Sequence, residues 1–216
     1  MFMELLEGSY SWLVPVYKGY SHWVMQADVA RLVVLYHVGG VYVDLDIKCK
    51  TPLHRLFVRL HAEHPDAVLY RTRPFGTSND FIIAKRGSPF IAHLICGLKF
   101  AQRRYFLPYI TTMLSTGPMY VNLQYLTYEH KTDVKILEDN DTRTYLGHIK
   151  GASWHRWDGV VIWWLFTHQY IILIFIVVFI CYKAARVLVR RNGGIQRWIF
   201  QQKWTRLNLN SLKSKV

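Results

Sequence analysis

Asp44 and Asp46 stand two residues apart at the end of Val41-Tyr42-Val43-Asp44-Leu45-Asp46, directly after Gly39-Gly40. A strand repeats every two residues, so this spacing predicts both carboxylates on one edge of an apolar strand. Converging carboxylates repel each other unless a cation lies between them. Hard divalent ions such as Mn²⁺ or Mg²⁺ take oxygen ligands and bridge to phosphates. The pattern therefore points to a metal that holds a diphosphate.

Other residues could join this chemistry. Asp28 and Arg31 lie three apart in an apolar segment and share a helix face. They fit either an internal ion pair or a pair turned into the polar cleft where the Asp44/Asp46 strand ends. Gly76-Thr77-Ser78-Asn79-Asp80 is a polar loop entering an apolar strand. Asn79 or Asp80 could meet a sugar hydroxyl there, and the same residue types also serve ordinary turns. Ser115-Thr116-Gly117-Pro118 reads as an anion site at a helix start or as a plain cap. His155, in Ser153-Trp154-His155, is of the type that joins carboxylates around Mn²⁺, or a surface loop residue. The other nine histidines, His148 among them, show no regular metal spacing and read as incidental. No G-x-G-x-x-G, P-loop or G-x-S-x-G pattern occurs.

The elements that must position these residues alternate between types. A helix is predicted around Met3–Val14, broken by Pro15. Ala27–Val38 reads as a buried helix, apolar on nearly all sides and ended by Gly39. Val41–Leu45 reads as a central strand and Lys48–Pro52 as a loop. Leu53–His61 follows as a short helix, then Ala67–Tyr70 and Asp80–Ala84 as strands. Pro89–Gln102 suits a helix with proline in its first turn. A further helix runs from Gly117-Pro118 to about His130. Val134–Leu137 reads as a strand, Glu138–Thr142 as a turn and His148–Trp157 as a loop. Strands interleaved with helices indicate an α/β sandwich.

The formal net charge of +13 over 216 residues suggests a polyanion partner until its placement is considered. Nine of the 27 Lys and Arg follow Tyr182 with no Asp or Glu among them, so the first 182 residues carry 18 basic and 14 acidic residues, a net of +4. The excess belongs to the tail, and a nucleic-acid-binding face is not expected. Val160–Tyr182 contains no Asp, Glu, Lys or Arg; as one helix it would run roughly 34 Å, enough for a bilayer core of about 30 Å. Trp163 and Trp164 mark one boundary, basic residues the other, and Thr167-His168-Gln169 is a polar interruption. The expected organisation is a globular domain over 1–159, a single transmembrane helix over 160–182 and a basic tail over 183–216. The positive-inside rule puts that tail in the cytosol and the globular domain across the membrane. The Asn140-Asp141-Thr142 sequon is consistent with a lumenal face. No secretory signal is visible at Met1–Leu6, so this orientation rests on the C-terminal span. Trp198–Arg206 has the composition of an interfacial helix or of a solvated end. Cys49 and Cys96 could pair or stay free, and Cys181 lies in the apolar span.

Five ordered blocks make the chain resemble the DXD sugar-transferase family of the inositol phosphorylceramide mannosyltransferase type. They are Ala27-Asp28-Val29-Ala30-Arg31 through Gly39-Gly40-Val41-Tyr42-Val43-Asp44-Leu45-Asp46; Gly76–Phe81, similar to the family's SND segment; Ser88-Pro89-Phe90; Pro108-Tyr109 followed by Ser115-Thr116-Gly117-Pro118; and Ser153-Trp154-His155. The resemblance covers roughly residues 5–158. It implies a GT-A-like, Rossmann-like α/β sandwich and retaining transfer of a sugar, mannose in this branch, from a nucleotide-sugar to a membrane sphingolipid. It further implies that Asp44 and Asp46 organise Mn²⁺ or Mg²⁺ on the donor diphosphate with His155 completing the shell. Asp28, Arg31, Gly40, Tyr42, Asp44 and Asn79 would bind the donor, and Asp80 is a candidate catalytic carboxylate. A Golgi membrane location goes with this family. The first strand and helix that cradle the nucleotide base in the family are not found ahead of the first block, so the sandwich is expected to lack them.

Two other readings share these residues. One is an α-glycosyltransferase using a UDP-sugar rather than GDP-mannose, on a glycan or protein. The other is a non-catalytic membrane partner, a regulatory subunit of a full-length enzyme that keeps the fold.

Overall fold

The computed structural model describes residues 2–72, 76–149, 157–184 and 186–187. By contacts the chain divides into two units, Met1–Gly159 and Val160–Val216.

The first unit opens with α1 (Phe2–Ser9), a 3-10 turn at Ser11–Leu13, α2 (Val14–Gly19) and α3 (Trp23–Val38). The single helix expected over Met3–Val14 and broken by Pro15 is not found: α1 already ends at Ser9, and Pro15 sits in the first turn of α2, where a missing N–H costs nothing. Gly39 caps α3 at φ 75°, with its N–H on the Leu35 carbonyl at 2.8 Å. A Cβ at Gly39 would lie 2.6 Å from the backbone N of Arg86. Gly39→Ala is therefore expected to cost roughly 1–3 kcal/mol, from left-handed strain and from this contact. The readout is a lower urea midpoint at unchanged slope.

Next come β1 (Gly40–Val43), β2 (Ile47–Cys49), α4 (His54–Glu63), β3 (Ala67–Tyr70), β4 (Phe81–Ala84), α5 (Pro89–Ala101), α6 (Pro108–Ser115), α7 (Pro118–Thr127), β5 (Val134–Leu137), α8 (Asp139–Tyr145) and β6 (Leu146–His148). The main sheet has the order β1-β4-β3-β5. Its β1–β4 and β4–β3 pairs are antiparallel and β3–β5 is parallel. β1 is thus an edge strand, and it ends at Val43 rather than running to Leu45. The stretch expected to be a loop at 48–52 begins inside β2, which pairs antiparallel with β6 and places Ile47 opposite His148. α6, β6 and α8 were not legible: the first is short and follows a loop rich in Arg and aromatics, and the others are short and polar.

Period-two alternation divides the sheet's residues between two cores. Ala67, Leu69, Ile82 and Ala84 pack with Val29, Leu32, Phe90 and Leu94 from α3 and α5. Val68, Tyr70, Phe81 and Leu137 pack with Leu56 and Leu60 of α4 and with Ile47 and Leu146 of the small sheet. Both faces of the sheet are covered, which is the mixed α/β sandwich the chain's pattern implied and is consistent with a GT-A-like fold.

The apolar C-terminal stretch is not one helix. α9 (Trp157–Thr167) and α10 (Gln169–Ala184) meet at a 68° bend. Among the described residues no single helix is long and apolar enough to cross a membrane; this bent pair passes only by length and composition. The break falls on the polar interruption. Thr167 Oγ1 bonds back to the carbonyls of Trp163 (2.9 Å) and Trp164 (3.0 Å), which competes with the helical ladder. The His168 ring stacks on Trp164 at 4.7 Å. Cys49, Cys96 and Cys181 are free. The interfacial-helix reading of Trp198–Arg206 lies outside the described residues.

Candidate active site

The ladder between β1 and β4 gains one more bond beyond Val43: Asp44 N–H donates to the Asp80 carbonyl at 2.7 Å. The chain then turns, with Ile47 N–H on the Asp44 carbonyl at 3.0 Å. The two carboxylates therefore come from a tight turn at the strand end, not from alternate positions of one strand. The turn is held from the other side by Ile149 N–H, which donates to the Asp46 carbonyl at 2.7 Å. Gly40, at φ 108°, begins the strand with open space beyond its Cα.

Asp28 and Arg31 are both buried on α3. The alternatives the sequence left open turn out to be compatible. Arg31 Nη2 lies 3.0 Å from Asp28 Oδ1 and 3.4 Å from Asp44 Oδ1. Its Nη1 donates to the Asn79 carbonyl, and the guanidinium lies 4.4 Å from the centre of the Tyr42 ring. Arg31 thus joins the helix, the strand end and the 76–80 loop. Tyr42 donates its hydroxyl to Asp44 Oδ1. Asp28 receives the Asn79 amide at 3.0 Å and the Thr116 hydroxyl at 2.7 Å. Thr116 therefore neither caps α7 nor offers an anion site; it holds Asp28. Ser115 is also spent elsewhere, on the Arg103 carbonyl at 3.1 Å.

Charge in this cluster is strongly coupled. Burial pushes the Asp28 carboxyl up to about 6, against the pull of Arg31, Thr116 and Asn79. Burial also raises Asp44; Arg31 and Tyr42 oppose it, and the negative charges of Asp80 and Asp46 add to it. A cation beside Asp44 and Asp46 would relieve that repulsion between carboxylates. Among the described residues no group of three or more His, Cys, Asp or Glu is arranged to hold a metal unaided. Two hard carboxylates completed by phosphate oxygens are a donor set that fits Mn²⁺ or Mg²⁺. His155, the third ligand expected from the sequence, lies outside the described residues.

A second cluster adjoins the first around Asp80, and sequence reasoning missed its other two members, Tyr70 and His148. Asp80 Oδ2 accepts the Tyr70 hydroxyl at 2.8 Å and lies 3.1 Å from His148 Nε2, which is 3.0 Å from the Tyr70 oxygen. Nothing in the spacing of His148 announces it; only the β2–β6 pairing brings it here. Tyr70 carried a weak signal, since a tyrosine ending an apolar strand needs a partner for its hydroxyl. Burial alone would raise Asp80, but bonds from His148, Ser78 and Tyr70 outweigh it and hold the carboxyl below its usual range. The bond to Asp80 raises His148 above its ordinary 6.5 despite partial burial. The stabilisation from His148 is thus complete below about pH 6.5 and fades as pH rises through its higher folded value; that from Asp80 holds above about pH 4 and fails as pH falls through its lower folded value. The His148 side chain is 57% exposed, so solvent limits the effect to below about 1 kcal/mol. His148→Ala is expected to lower the Tm more at about pH 5.5 than at about pH 8.5. An equal loss at both would show that the pair carries no charge coupling.

Among the described residues, three of the five buried side-chain atoms without a hydrogen-bond partner belong to this region: Arg31 Nε, Thr77 Oγ1 and Asp80 Oδ1. Each such atom costs about 1–3 kcal/mol unless something polar reaches it. Their concentration around the carboxylates is what a site for a hydroxyl-rich, charged ligand presents.

This geometry agrees with the family comparison. Residues 2–65, which contain Asp28, Arg31, Gly40, Tyr42, Asp44 and Asp46, match the family described as glycosyltransferase sugar-binding region containing DXD motif. The match spans residues 2–65, and over them the chain is similar to that family. The chain is also similar to the inositol phosphoceramide mannosyltransferases. It is 32% identical to inositol phosphoceramide mannosyltransferase 1 of Schizosaccharomyces pombe over 204 residues, covering 88% of this chain and 62% of the relative. It is 31% identical to inositol phosphoceramide mannosyltransferase 2 of the same yeast, over 78% of this chain and 50% of the relative. It is 30% identical to mannosyl phosphorylinositol ceramide synthase CSH1 of Saccharomyces cerevisiae, over 71% of this chain and 42% of the relative. The chain thus spans between two fifths and about three fifths of the length of these relatives.

Proposed function

We propose that this chain carries the donor site of a metal-dependent, retaining mannosyltransferase that moves mannose from a nucleotide-sugar to an inositol phosphorylceramide-type lipid at a Golgi membrane. The observation that carries the reading is the Asp28–Arg31–Asp44 network, buried at Asp28 and Arg31 and half-buried at Asp44, with Asp46 on the adjoining turn. The relatives' names supply the sugar and the acceptor class.

In this reading Asp44 and Asp46 hold Mn²⁺ or Mg²⁺, which supplies Lewis-acid stabilisation of the departing diphosphate. Arg31 contributes a fixed positive charge that needs no reorganisation as negative charge develops. Asp28 orients Arg31 and is itself held by Thr116 and Asn79. The orphaned Arg31 Nε and Asp80 Oδ1 offer one donor and one acceptor to ligand hydroxyls. Tyr70 and His148 fix the Asp80 carboxylate and keep it ionised.

Incubation of the purified chain in detergent with labelled GDP-mannose, Mn²⁺ and inositol phosphorylceramide tests this reading. Labelled mannose is expected in the lipid phase. Transfer only from UDP-sugars, or none from any donor while the chain is folded, would contradict it.

A further inference from the structure

From Lys85 to Tyr128 the chain contains no Asp or Glu, yet it carries Lys85, Arg86, Lys99, Arg103 and Arg104. Three of these cations frame the connection between α5 and α6. Phe100, in the last turn of α5, is 78% exposed, and Phe106, in the connection itself, is 99% exposed. A large aromatic left almost wholly in water forgoes the stabilisation that burial would give it.

The loop is not simply frayed. Gln102 Nε2 donates to the Val16 carbonyl at 3.1 Å, and Ser115 Oγ donates to the Arg103 carbonyl at 3.1 Å. Tyr105 N–H donates to Thr111 Oγ1 at 3.0 Å. It is tied at three points, through the Gln102 side chain and through the backbone of Arg103 and Tyr105, while Phe106 faces solvent. A cavity of about 230 Å³ opens beside it, with Arg103 and Arg104 in its lining. At the second residue of α6, Tyr109 N–H donates to Asp158 Oδ2 at 2.8 Å, just ahead of the apolar stretch, and Asp158 is buried. Trp157, beside it, is 72% exposed.

We propose that the α5–α6 loop is a membrane-docking hook, in which Phe100 and Phe106 enter the interface of an anionic bilayer while Lys99, Arg103 and Arg104 meet lipid headgroups. Aromatic residues favour that interface, and each Lys or Arg near an anionic surface adds electrostatic attraction to it. A basic, acid-free segment favours a lipid surface over a protein groove, where unpaired cations would be desolvated. The hook would hold the site close to a lipid acceptor. This extends the lipid-acceptor reading above, but its test does not depend on catalysis.

The test uses the full chain with C49S, C96S and C181S, reconstituted in vesicles, with an environment-sensitive fluorophore on F106C. Val58, exposed on α4 outside this patch, provides a control through V58C. In phosphatidylcholine–phosphatidylserine vesicles the label on F106C is expected to shift to the blue and to be quenched by spin-labelled lipid, and the label on V58C to remain water-like. R103E/R104E should reduce the quenching several-fold, and only in vesicles that contain phosphatidylserine. A water-like signal at F106C would overturn the proposal, and equal quenching with and without R103E/R104E would overturn its electrostatic half. Quenching at F106C in a chain inert toward every donor would support the hook while defeating the mannosyltransferase reading.

Discussion

Asp44→Asn is expected to reduce sugar transfer on the order of 10³-fold, or about 4 kcal/mol of transition-state stabilisation. The substitution is chosen because it leaves the local structure its acceptor. Asp44 Oδ1 takes the Tyr42 hydroxyl and lies 3.4 Å from Arg31, and an amide oxygen can still accept both contacts. What disappears is the negative charge that would hold a cation against the donor. Burial already opposes that charge, so the variant should fold with little change in Tm. Asp46→Asn, on a turn with its backbone carbonyl held by Ile149, should behave alike. The measurement is initial transfer rate in Mn²⁺ alongside a thermal melt. Activity within tenfold of the parent, with a normal melt, would remove the carboxylate pair from the mechanism.

Arg31→Ala is expected to cost roughly 3–5 kcal/mol of stability, the range for stripping one partner from a buried ion pair. Arg31 is tied to Asp28, Asp44 and the Asn79 carbonyl at once, and its removal leaves Asp28 buried with only Thr116 and Asn79 as donors. Asp28, already pushed up to about 6 with Arg31 in place, would rise further without it. A carboxyl with a raised folded value favours the folded state only when protonated, so the loss should be smaller near pH 5 than near pH 8. Arg31→Lys should recover little, because a point charge cannot reproduce the two-nitrogen fork or the packing on Tyr42. Urea unfolding at both pH values reads this directly. In the double variant Asp28→Asn/Arg31→Ala the two costs should be less than additive.

Much of this site could be read from residue types and spacing, and the reason is local. Asp28 and Arg31 share a helix face by periodicity alone, and Gly39-Gly40 marks the passage from α3 to the strand. The main-sheet strands and α5 carry strong apolar patterns, so their existence was legible. What failed was long-range. The edge position of β1 depends on which strands pair, which apolar composition does not encode. Thr116 holds Asp28 across 88 residues, and His148 meets Tyr70 across 78. A two-stranded sheet of three-residue strands has too little pattern to be seen beforehand. The apolar stretch at 160–182 was read by composition as one span; the back-bonding of Thr167 and the stacking of His168 break it in two.

The direct test of the central claim is metal binding rather than turnover. Mn²⁺ is titrated into the folded chain with and without GDP, and free Mn²⁺ is followed by electron paramagnetic resonance. One saturable ion per chain is expected, bound more tightly when the diphosphate is present and lost in Asp44→Asn/Asp46→Asn. Binding that is absent, or that survives unchanged when both carboxylates are neutralised, would contradict it.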